Sequence, residues 1–452
     1  MTVIWAEQAL LADGWAQNVA ITLAGDRIAA ITPGAAPQGQ RVGVLLPAPS
    51  NLHSHAFQRA MAGLTERRGP DPRDSFWTWR QLMYRFLDRL TPDDVQAIAA
   101  FVQMEMAEAG FAAVAEFHYL HHAPGGQAYA NAAELSARVA AAAAHSGLGL
   151  TLLPVLYQFG GCDGRSLGPG QNRFGNTPDS FATLMDGAAA ALAPLPADTV
   201  LGVAPHSLRA VSVDGLAFAA ALRPEAPIHM HLAEQTAEVE EVLTHRGARP
   251  TEWLLTNAQV DARWCLIHCT QMEPHETKGL AETGAVAGLC PITESSLGDG
   301  IFDGVRYASH GGRWGIGSDS NIRISLSEEL RTLDYSQRLR DRSRAALATE
   351  QKSTGRVLFE GAARGGAQAA GRDAGAIAVG KLADLVALDA SGPDMAGHRG
   401  DTLLDAYVFA GDDRMVKELW SAGRHLVSGG RHRAHDAITS AYLTTVTKLR
   451  DL

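Results

Sequence analysis

The chain has 452 residues, of which 46% are hydrophobic and 19% charged, and its mean hydropathy is −0.06. This length and composition predict a globular protein with a large domain and a smaller one, and they exclude a largely disordered chain. The formal net charge of −10 argues against a nucleic-acid or anionic-membrane surface, because both need a basic face.

The cysteines and the first residues bear on the compartment. The four cysteines form no CxxC pair, which favours a reducing environment over a disulfide framework; they are Cys162, Cys265, Cys269 and Cys290. The segment from Met1 to Glu7 lacks the basic and apolar regions of a signal peptide, and no run of about 18 apolar residues occurs. We therefore expect a cytoplasmic protein that acts on a small molecule.

Both ends of the chain show the alternation of a half-buried β-strand. The alternating segments are Asn18–Leu23, Arg27–Ile31, Ala376–Lys381, Asp384–Leu388 and Met415–Trp420. They predict a small β-sandwich domain built from both termini, residues 1–44 plus 375–452, with a C-terminal helix.

Between the termini lie eight short apolar runs, separated by stretches long enough for a helix. Helical periodicity is clear over Asp94–Ala109 and Ala132–His145. Eight alternating units predict an α/β fold, a parallel (β/α)8 TIM-like barrel over residues 45–374. The runs lie at 43–52, 113–117, 150–155, 200–204, 227–231, 264–267, 285–289 and 314–317.

Four fragments carry metal-binding residue types at the ends of these runs. They are His53-Ser54-His55, His231 with Glu234, His268, and Asp319. Catalytic groups of a (β/α)8 barrel lie at the carboxyl ends of its strands, and residues i and i+2 of a strand share a face. Imidazole nitrogens and one carboxylate suit a divalent cation such as zinc, which activates water for hydrolysis.

The remaining acids and histidines have two interpretations each. Glu234 lies three residues after His231, where it could shuttle protons to a nitrogen or simply open a helix. His268 is interpreted as a polarising group or as a buried core histidine. Asp319 is interpreted as a fourth ligand that also accepts a proton from water, or as a turn residue.

Several features limit the metal site to one ion and to these residues. Two-metal relatives of this architecture bridge their ions with a modified lysine at the end of the third or fourth strand. The first lysine of this chain is Lys278, beyond those strands, so we expect a single metal ion. His229-Met230-His231 is a second HxH pair, which shows that the pattern alone is weak. For the cluster His118, His121 and His122 we expect no metal role.

The motifs together resemble the amidohydrolase superfamily in its mononuclear deaminase branch, over nearly the whole chain. The resemblance rests on HSH at 53–55, HLAE at 231–234, His268, SDS at 318–320 and the return from Gly375 to Val386. It departs at 47–52, where many members have a glycine after the first proline. More narrowly, residues 51–63 and Ser75-Phe76-Trp77-Thr78-Trp79-Arg80 resemble the formimidoylglutamate deiminase family of histidine degradation.

This resemblance implies hydrolysis of N-formimidoyl-L-glutamate to N-formyl-L-glutamate and ammonia on a single zinc, by a homodimer. It implies the metal ligands His53, His55, His231 and Asp319, the catalytic residues Glu234, His268 and Asp319, and the substrate-binding residues Gln58, Arg80, Tyr119, His206 and Arg209. A dianionic substrate fits the two arginines, since the guanidinium binds carboxylates bidentately.

Some alternatives stay open at this point. The same ligands accept iron or manganese. A related aminohydrolase of a heterocycle such as guanine, or a catalytically silent scaffold, would share most of these motifs. The Trp-rich segment within residues 57–90 could fold as a lid.

Overall fold

A computed structural model of the chain describes residues 2–66 and 76–450. The predicted lid segment lies partly outside the described residues, as does the start of the motif at Ser75. No helix in the described ranges is both long and apolar enough to cross a membrane.

The described residues alternate between strands and helices as the sequence predicts for an α/β protein. The strands are β1 (Thr2–Leu11), β2 (Gly14–Ala24), β3 (Arg27–Thr32), β4 (Gln40–Pro47), β5 (Ser50–Ser54), β6 (Ala113–His118), β7 (Gly149–Leu156), β8 (Val200–Leu201), β9 (Ala204–Pro205), β10 (Ile228–Leu232), β11 (Trp264–His268), β12 (Val286–Leu289), β13 (Arg313–Ile316), β14 (Leu385–Leu388), β15 (Val416–Ser421), β16 (Arg424–Ser428) and β17 (Arg431–His432).

The α-helices fall mostly between the strands of the central part and at the C-terminus. They are α1 (Phe76–Leu87), α2 (Pro92–Glu108), α3 (Glu134–Ser146), α4 (Pro178–Leu192), α5 (Val213–Leu222), α6 (Thr236–Arg246), α7 (Pro250–Asn257), α8 (Pro274–Ala281), α9 (Pro291–Leu297), α10 (Gly304–Ser309), α11 (Leu326–Asp341), α12 (Thr354–Ala369), α13 (Asp401–Asp405) and α14 (His435–Arg450).

The strands of the two termini form one continuous sheet of eight strands in the order β17-β16-β15-β14-β4-β1-β2-β3. All neighbours are antiparallel except β1 and β4, which run parallel. The sheet therefore contains strands from both ends of the chain. The predicted strand over 376–381 is wrong in its extent, because Ile377 makes only an isolated bridge to Leu11.

The central strands form two parallel sheets, β5-β6-β7-β8 with β9 beside β7, and β10-β11-β12-β13. Their residues are almost all buried, which is why the strands read as unbroken apolar runs rather than as alternating ones. Most predicted runs match these strands within two residues. The predicted first run is wrong as one strand, because the Ala48-Pro49 step divides it into β4 of the terminal sheet and β5 of the parallel sheet.

Isolated parallel bridges join the two parallel sheets at both edges. Ser54 at the end of β5 pairs with Asp319 after β13, and Val203 pairs with Ile228 of β10. Helix α12 packs over the first junction, where Gly365 lies against the carbonyl of Trp314 and Gly366 against that of Ser50. Any side chain at these two glycines would collide with the backbone of β13 or β5.

A buried ion network connects the terminal sheet to the central part. Arg372 pairs with Asp384 and Asp198 at 3.0 Å each, and Arg424 pairs with Asp198 at 2.7 Å. The side chain of Arg372 is fully buried, so each carboxylate offsets a charge that has lost its water. The network fixes the terminal sheet on the side away from the carboxyl ends of the parallel strands.

Candidate metal centre and substrate pocket

Four buried side chains converge at the carboxyl ends of the parallel strands. His53 and His55 come from the end of β5, His231 from the end of β10, and Asp319 from the turn after β13. One ligand atom of each lies within 4.8 Å of those of the other three. The Nε2 atoms of His53 and His55 are 3.4 and 3.2 Å from Asp319 Oδ1. The structure thus brings together the four residues predicted as metal ligands.

The orientation of the imidazoles fits a bound cation. The Nδ1 atoms of His55 and His231 donate to the carbonyls of Phe117 and His206, at 3.0 and 3.2 Å, which leaves each Nε2 without its hydrogen. Neither ring nitrogen of buried His53 has a hydrogen bond among the described residues. An unpaired buried imidazole is costly, and a divalent cation would remove that cost.

Burial keeps the imidazoles of His53 and His231 neutral, the form that binds metals. Desolvation lowers the pKa of His53 to about 3, against a smaller opposing effect of Asp319. Desolvation, together with the neighbouring histidines, holds the pKa of His231 well below its usual value. For Asp319 burial acts to raise the pKa, but the imidazoles of His53 and His55, 3.4 and 3.2 Å from its Oδ1, outweigh burial and hold the pKa well below the usual range. Asp319 is therefore ionised.

His268 and Glu234 lie beside the four donors without belonging to them. His268 Nε2 is 3.9 Å from both Glu234 Oε1 and Asp319 Oδ2. On its other side, His268 Nδ1 is 3.3 Å from Glu294 Oε1. Burial opposes the charge on His268, but Glu234, Glu294 and Asp319 outweigh burial and raise its pKa to about 10. The histidine thus lies between three acids and beside the metal donors.

Backbone geometry at this end of the sheets is strained. Ala233, His268 and Asp319 have φ angles of 51°, 72° and 46°, in the left-handed region that favours glycine. Each such residue costs about 1 kcal/mol or more and persists only where its surroundings enforce it. The enforcing contacts include the N–H of Asp319, which donates to the carbonyl of His53 at 2.9 Å. Two of these residues, His268 and Asp319, line the cavity, and Ala233 lies in the chain between His231 and Glu234, which also line it.

The five residues predicted to bind substrate line the same cavity as the metal donors. They are Gln58, Arg80, Tyr119, His206 and Arg209. Gln58 Nε2 donates to the Tyr119 hydroxyl at 2.8 Å, and the Gln58 Oε1 atom has no hydrogen bond within the described part of the chain. Both guanidiniums are buried, with exposures of 9% for Arg80 and 5% for Arg209. The pocket therefore contains two buried cationic side chains as well as the acids around His268.

Sequence reasoning missed two polar residues of this region. Tyr157 directly follows β7 and lines the cavity, so the strand-end rule could have found it. Glu294 lies in α9, after β12, where no strand-end position marked it. Glu294 Oε1 also accepts from the N–H of Cys290 at 2.8 Å. His268, Cys290 and Glu294 form a second group of close donor atoms, but burial raises the pKa of the Cys290 thiol well above its usual value, so it is not a thiolate.

The other histidines singled out in the sequence have structural contacts. His121 and His122 donate from Nε2 to the carbonyls of Val155 and Gly175, at 2.9 and 2.7 Å. His229, the first histidine of the second HxH pair, donates to the carbonyl of Ala369 at 2.8 Å. These residues belong to neither group of close metal-donor atoms in the described ranges.

Comparison with known proteins places the chain in a family. A profile of the amidohydrolase family matches residues 44–426, and one of the formimidoylglutamate deiminase HutF N-terminal domain matches residues 1–41. A formimidoylglutamate deiminase from Pseudomonas aeruginosa is 47% identical over 456 residues, 100% of both chains. A crystal structure of an amidohydrolase from Brucella melitensis matches with a TM-score of 0.96 and 48% identity over 100% of both chains.

A more distant structure shares the fold. An adenosine deaminase from Xanthomonas campestris with bound zinc matches with a TM-score of 0.82 at 20% identity, over 100% of this chain and 99% of that one. The full-length matches at 47% and 48% identity are more specific than this match at 20% identity. The chain belongs to the amidohydrolase family and, within it, to the formimidoylglutamate deiminases.

Proposed function

We propose that this protein hydrolyses N-formimidoyl-L-glutamate to N-formyl-L-glutamate and ammonia, a step of histidine degradation, with one divalent cation. The observation that carries the proposal is a single cavity with a metal-donor cluster at one side and two buried arginines among its lining residues. The full-length relative at 47% identity is named for this activity. The substrate has one reacting amidine and two carboxylates, which suits both parts of the cavity.

The cation is proposed to be zinc, held by His53, His55, His231 and Asp319. Three neutral imidazoles and one carboxylate are a donor set that zinc prefers, although iron and manganese accept it too. When bound, such an ion supplies Lewis acidity and lowers the pKa of water. The zinc bound to the structurally similar adenosine deaminase supports the choice of metal.

The acids and His268 are proposed to move protons during hydrolysis. Water adds to the formimidoyl carbon, the carbon–nitrogen bond to the imino nitrogen breaks, and ammonia leaves. Both protons that water loses end on the departing nitrogen. Asp319 accepts one of them, and Glu234 delivers a proton to the nitrogen, since it lines the cavity without being one of the four metal donors. His268 lies between the two carboxylates and stabilises negative charge on the attacking oxygen.

The part of the cavity lined by Arg80 and Arg209 is proposed to bind the glutamate moiety. Arg80 and Arg209 supply buried guanidiniums for its two carboxylates, and His206 and Tyr119 complete the wall. The unpaired Gln58 Oε1 is an acceptor suited to an N–H of the formimidoyl group. An apolar substrate would leave the Gln58 Oε1 atom unpaired, at a cost of about 1–3 kcal/mol.

We extend the proposal to the architecture and the assembly. The bridges at both edges of the parallel sheets support closure into one (β/α)8 barrel over residues 45–374. The terminal strands and α14 are proposed to form a small domain of residues 1–44 plus 375–452 with sandwich packing, although β4 continues to Pro47. Family resemblance supports a cytoplasmic homodimer, which sedimentation and cell fractionation can test.

The deciding experiment measures ammonia release from several candidates with one purified sample. N-formimidoyl-L-glutamate is compared with N-formimidoyl-L-aspartate, guanine and cytosine, and the metal content of the same sample is determined. We expect turnover of formimidoylglutamate with one metal ion per chain. Preferred turnover of guanine or cytosine would assign the protein to the ring aminohydrolases, and a sample that stays inert after zinc is restored would indicate a silent scaffold.

A further inference from the structure

Tyr157 is a buried residue of the cavity to which neither the sequence motifs nor the proposed mechanism assigns a role. It directly follows β7, and its exposure is 2%. Its ring lies edge-on against that of His206, with centroids 4.5 Å apart, and its carbonyl accepts from the N–H of Asn176 at 2.9 Å. Both ring and backbone are therefore fixed in place, and the hydroxyl has a defined direction.

The hydrogen bonds of the Tyr157 hydroxyl leave its hydrogen unused. The oxygen accepts from Arg80 Nη2 at 2.8 Å and from Gln171 Nε2 at 2.9 Å. The amide of Gln171 is held in that orientation because its Oε1 accepts from the N–H of Gly168 at 2.9 Å. A phenol oxygen offers two lone pairs and one hydrogen. Both lone pairs are engaged, and among the side chains of residues 2–66 and 79–450 the hydroxyl donates to no acceptor.

We propose that Tyr157 is a further substrate-binding residue, which donates its phenol hydrogen to the same substrate carboxylate that Arg80 binds. This inference rests on the proposed function and specifies which groups recognise the glutamate moiety. The hydroxyl lies 2.8 Å from Arg80, so a carboxylate on that guanidinium comes within reach of the hydroxyl. A carboxylate has lone pairs for both donors, whereas a ligand group that only donates would leave the phenol hydrogen unpaired.

Arg80 and Gln171 also restrict what Tyr157 can do. Because both are donors, the hydroxyl cannot turn its hydrogen toward either of them and can satisfy it only with an acceptor in the cavity. The tyrosine therefore selects for an acceptor at this position. Discrimination of this kind is strong, because a ligand without the matching group leaves a buried polar atom unpaired.

The test is the substitution Tyr157→Phe, which removes the hydroxyl and keeps the ring. We measure KM and kcat for N-formimidoyl-L-glutamate and the calorimetric Kd of glutarate, a dianion without the amidine. KM and Kd should rise roughly ten- to hundredfold, as expected for a hydrogen bond to a charged group, with kcat within about threefold. Tyr307→Phe is the matched control: Tyr307 is also buried and its hydroxyl donates to the carbonyl of Ala285 at 3.3 Å, away from the cavity.

An Arg80→Ala background separates direct contact from an effect through Arg80. If Tyr157 contacts the ligand, Tyr157→Phe still weakens glutarate about tenfold or more in that background. If the effect disappears there, Tyr157 only positions Arg80 and the proposal is wrong. Thermal unfolding of each variant ensures that the comparison is made on folded protein.

The outcomes also distinguish this proposal from the proposed function. A wild-type enzyme that turns over formimidoylglutamate, with KM and glutarate Kd unchanged in Tyr157→Phe, overturns the role of Tyr157 alone. A wild-type protein that releases no ammonia from formimidoylglutamate overturns the proposed function. In that case a loss of glutarate affinity in the variant, about tenfold or more, still supports Tyr157 as a carboxylate-binding residue.

Discussion

Replacing Glu234 with Gln separates proton transfer from metal binding. Glu234 is buried and lines the cavity, but its carboxylate is not among the four close metal donors. Its backbone is held independently of its side chain, because its N–H donates to Glu238 at 2.9 Å and its carbonyl accepts from the hydroxyl of Thr270 at 2.8 Å. His268 Nε2 is 3.9 Å from the Glu234 carboxylate, beyond hydrogen-bond distance. The substitution should therefore leave the fold and the metal site intact.

The expected loss follows from the work a general acid does. Such a group contributes roughly 10²- to 10⁴-fold to the rate, or about 3–5 kcal/mol of barrier, at about 1.4 kcal/mol for each factor of ten. We expect kcat for N-formimidoyl-L-glutamate to fall by that factor in Glu234→Gln, with KM nearly unchanged and bound metal near one per chain. Stopped assays of ammonia release measure kcat and KM, and metal analysis of the same sample measures the bound metal.

Glu329→Gln is the control for removing a buried carboxyl. Glu329 is fully buried and accepts from the N–H of Ile292 at 2.9 Å, and burial raises its pKa well above the usual value, so the neutral amide replaces a neutral acid. The kcat of the Glu329→Gln variant should stay close to that of the wild type. Loss of metal from Glu234→Gln would show that Glu234 is a ligand, and a fall in kcat of less than about tenfold would refute its role in proton transfer.

Three further substitutions test other parts of the structure. Glu294→Gln weakens the charged partner of His268 Nδ1, so kcat should fall roughly tenfold with little change in KM; an unchanged kcat contradicts this orienting contact. Burial lowers the pKa of His229 from 6.5 to about 4, so the folded state binds a proton less readily than the unfolded chain. The free energy of unfolding should therefore fall by about 3 kcal/mol as the pH falls from 6.5 through 4. His229→Gln does not titrate and can still donate to Ala369, so circular dichroism should show acid unfolding at a lower pH than in the wild type; an unmoved midpoint contradicts it. Arg209→Met should raise KM for formimidoylglutamate about 100-fold or more without loss of metal, whereas a ring aminohydrolase would keep its KM.

Strand ends made much of the candidate site predictable from sequence. In a parallel sheet the carboxyl ends of all strands meet at one edge, so His231, His268 and Asp319 could be assigned to one place without any knowledge of distances. Buried parallel strands are also continuous apolar runs, which made most of the central strands visible. The substrate-binding residues came from the family resemblance instead, because nothing in their spacing indicates a common pocket.

The structural features that could not be predicted from the sequence depend on long-range contacts. The run from Gly43 to Leu52 is continuous in sequence, and only the pairing of β4 with β14 and of β5 with β6 divides it between two sheets. Glu294 lies on a helix, and its contact with His268 joins residues 26 positions apart. The role of the Tyr157 hydroxyl depends on the amide orientation of Gln171, which in turn depends on Gly168. Such features follow from the packing of loops that carry no periodicity.

The two HxH pairs show why position along the strand, and not the motif, decides which histidines form the metal centre. Residues i and i+2 of a strand share a face, so the two histidines of such a pair point the same way and lie about 7 Å apart along the strand. His229 is the second residue of β10 and therefore lies one layer below His231, where it donates to a backbone carbonyl instead. His55 lies just beyond the end of β5 at Ser54, where its N–H donates to the carbonyl of Asp319 at 2.9 Å and its Nε2 is 3.2 Å from Asp319 Oδ1. The pair at 53–55 therefore lies wholly at the carboxyl end of its strand, whereas the pair at 229–231 begins near the start of β10 and brings only His231 to the carboxyl end.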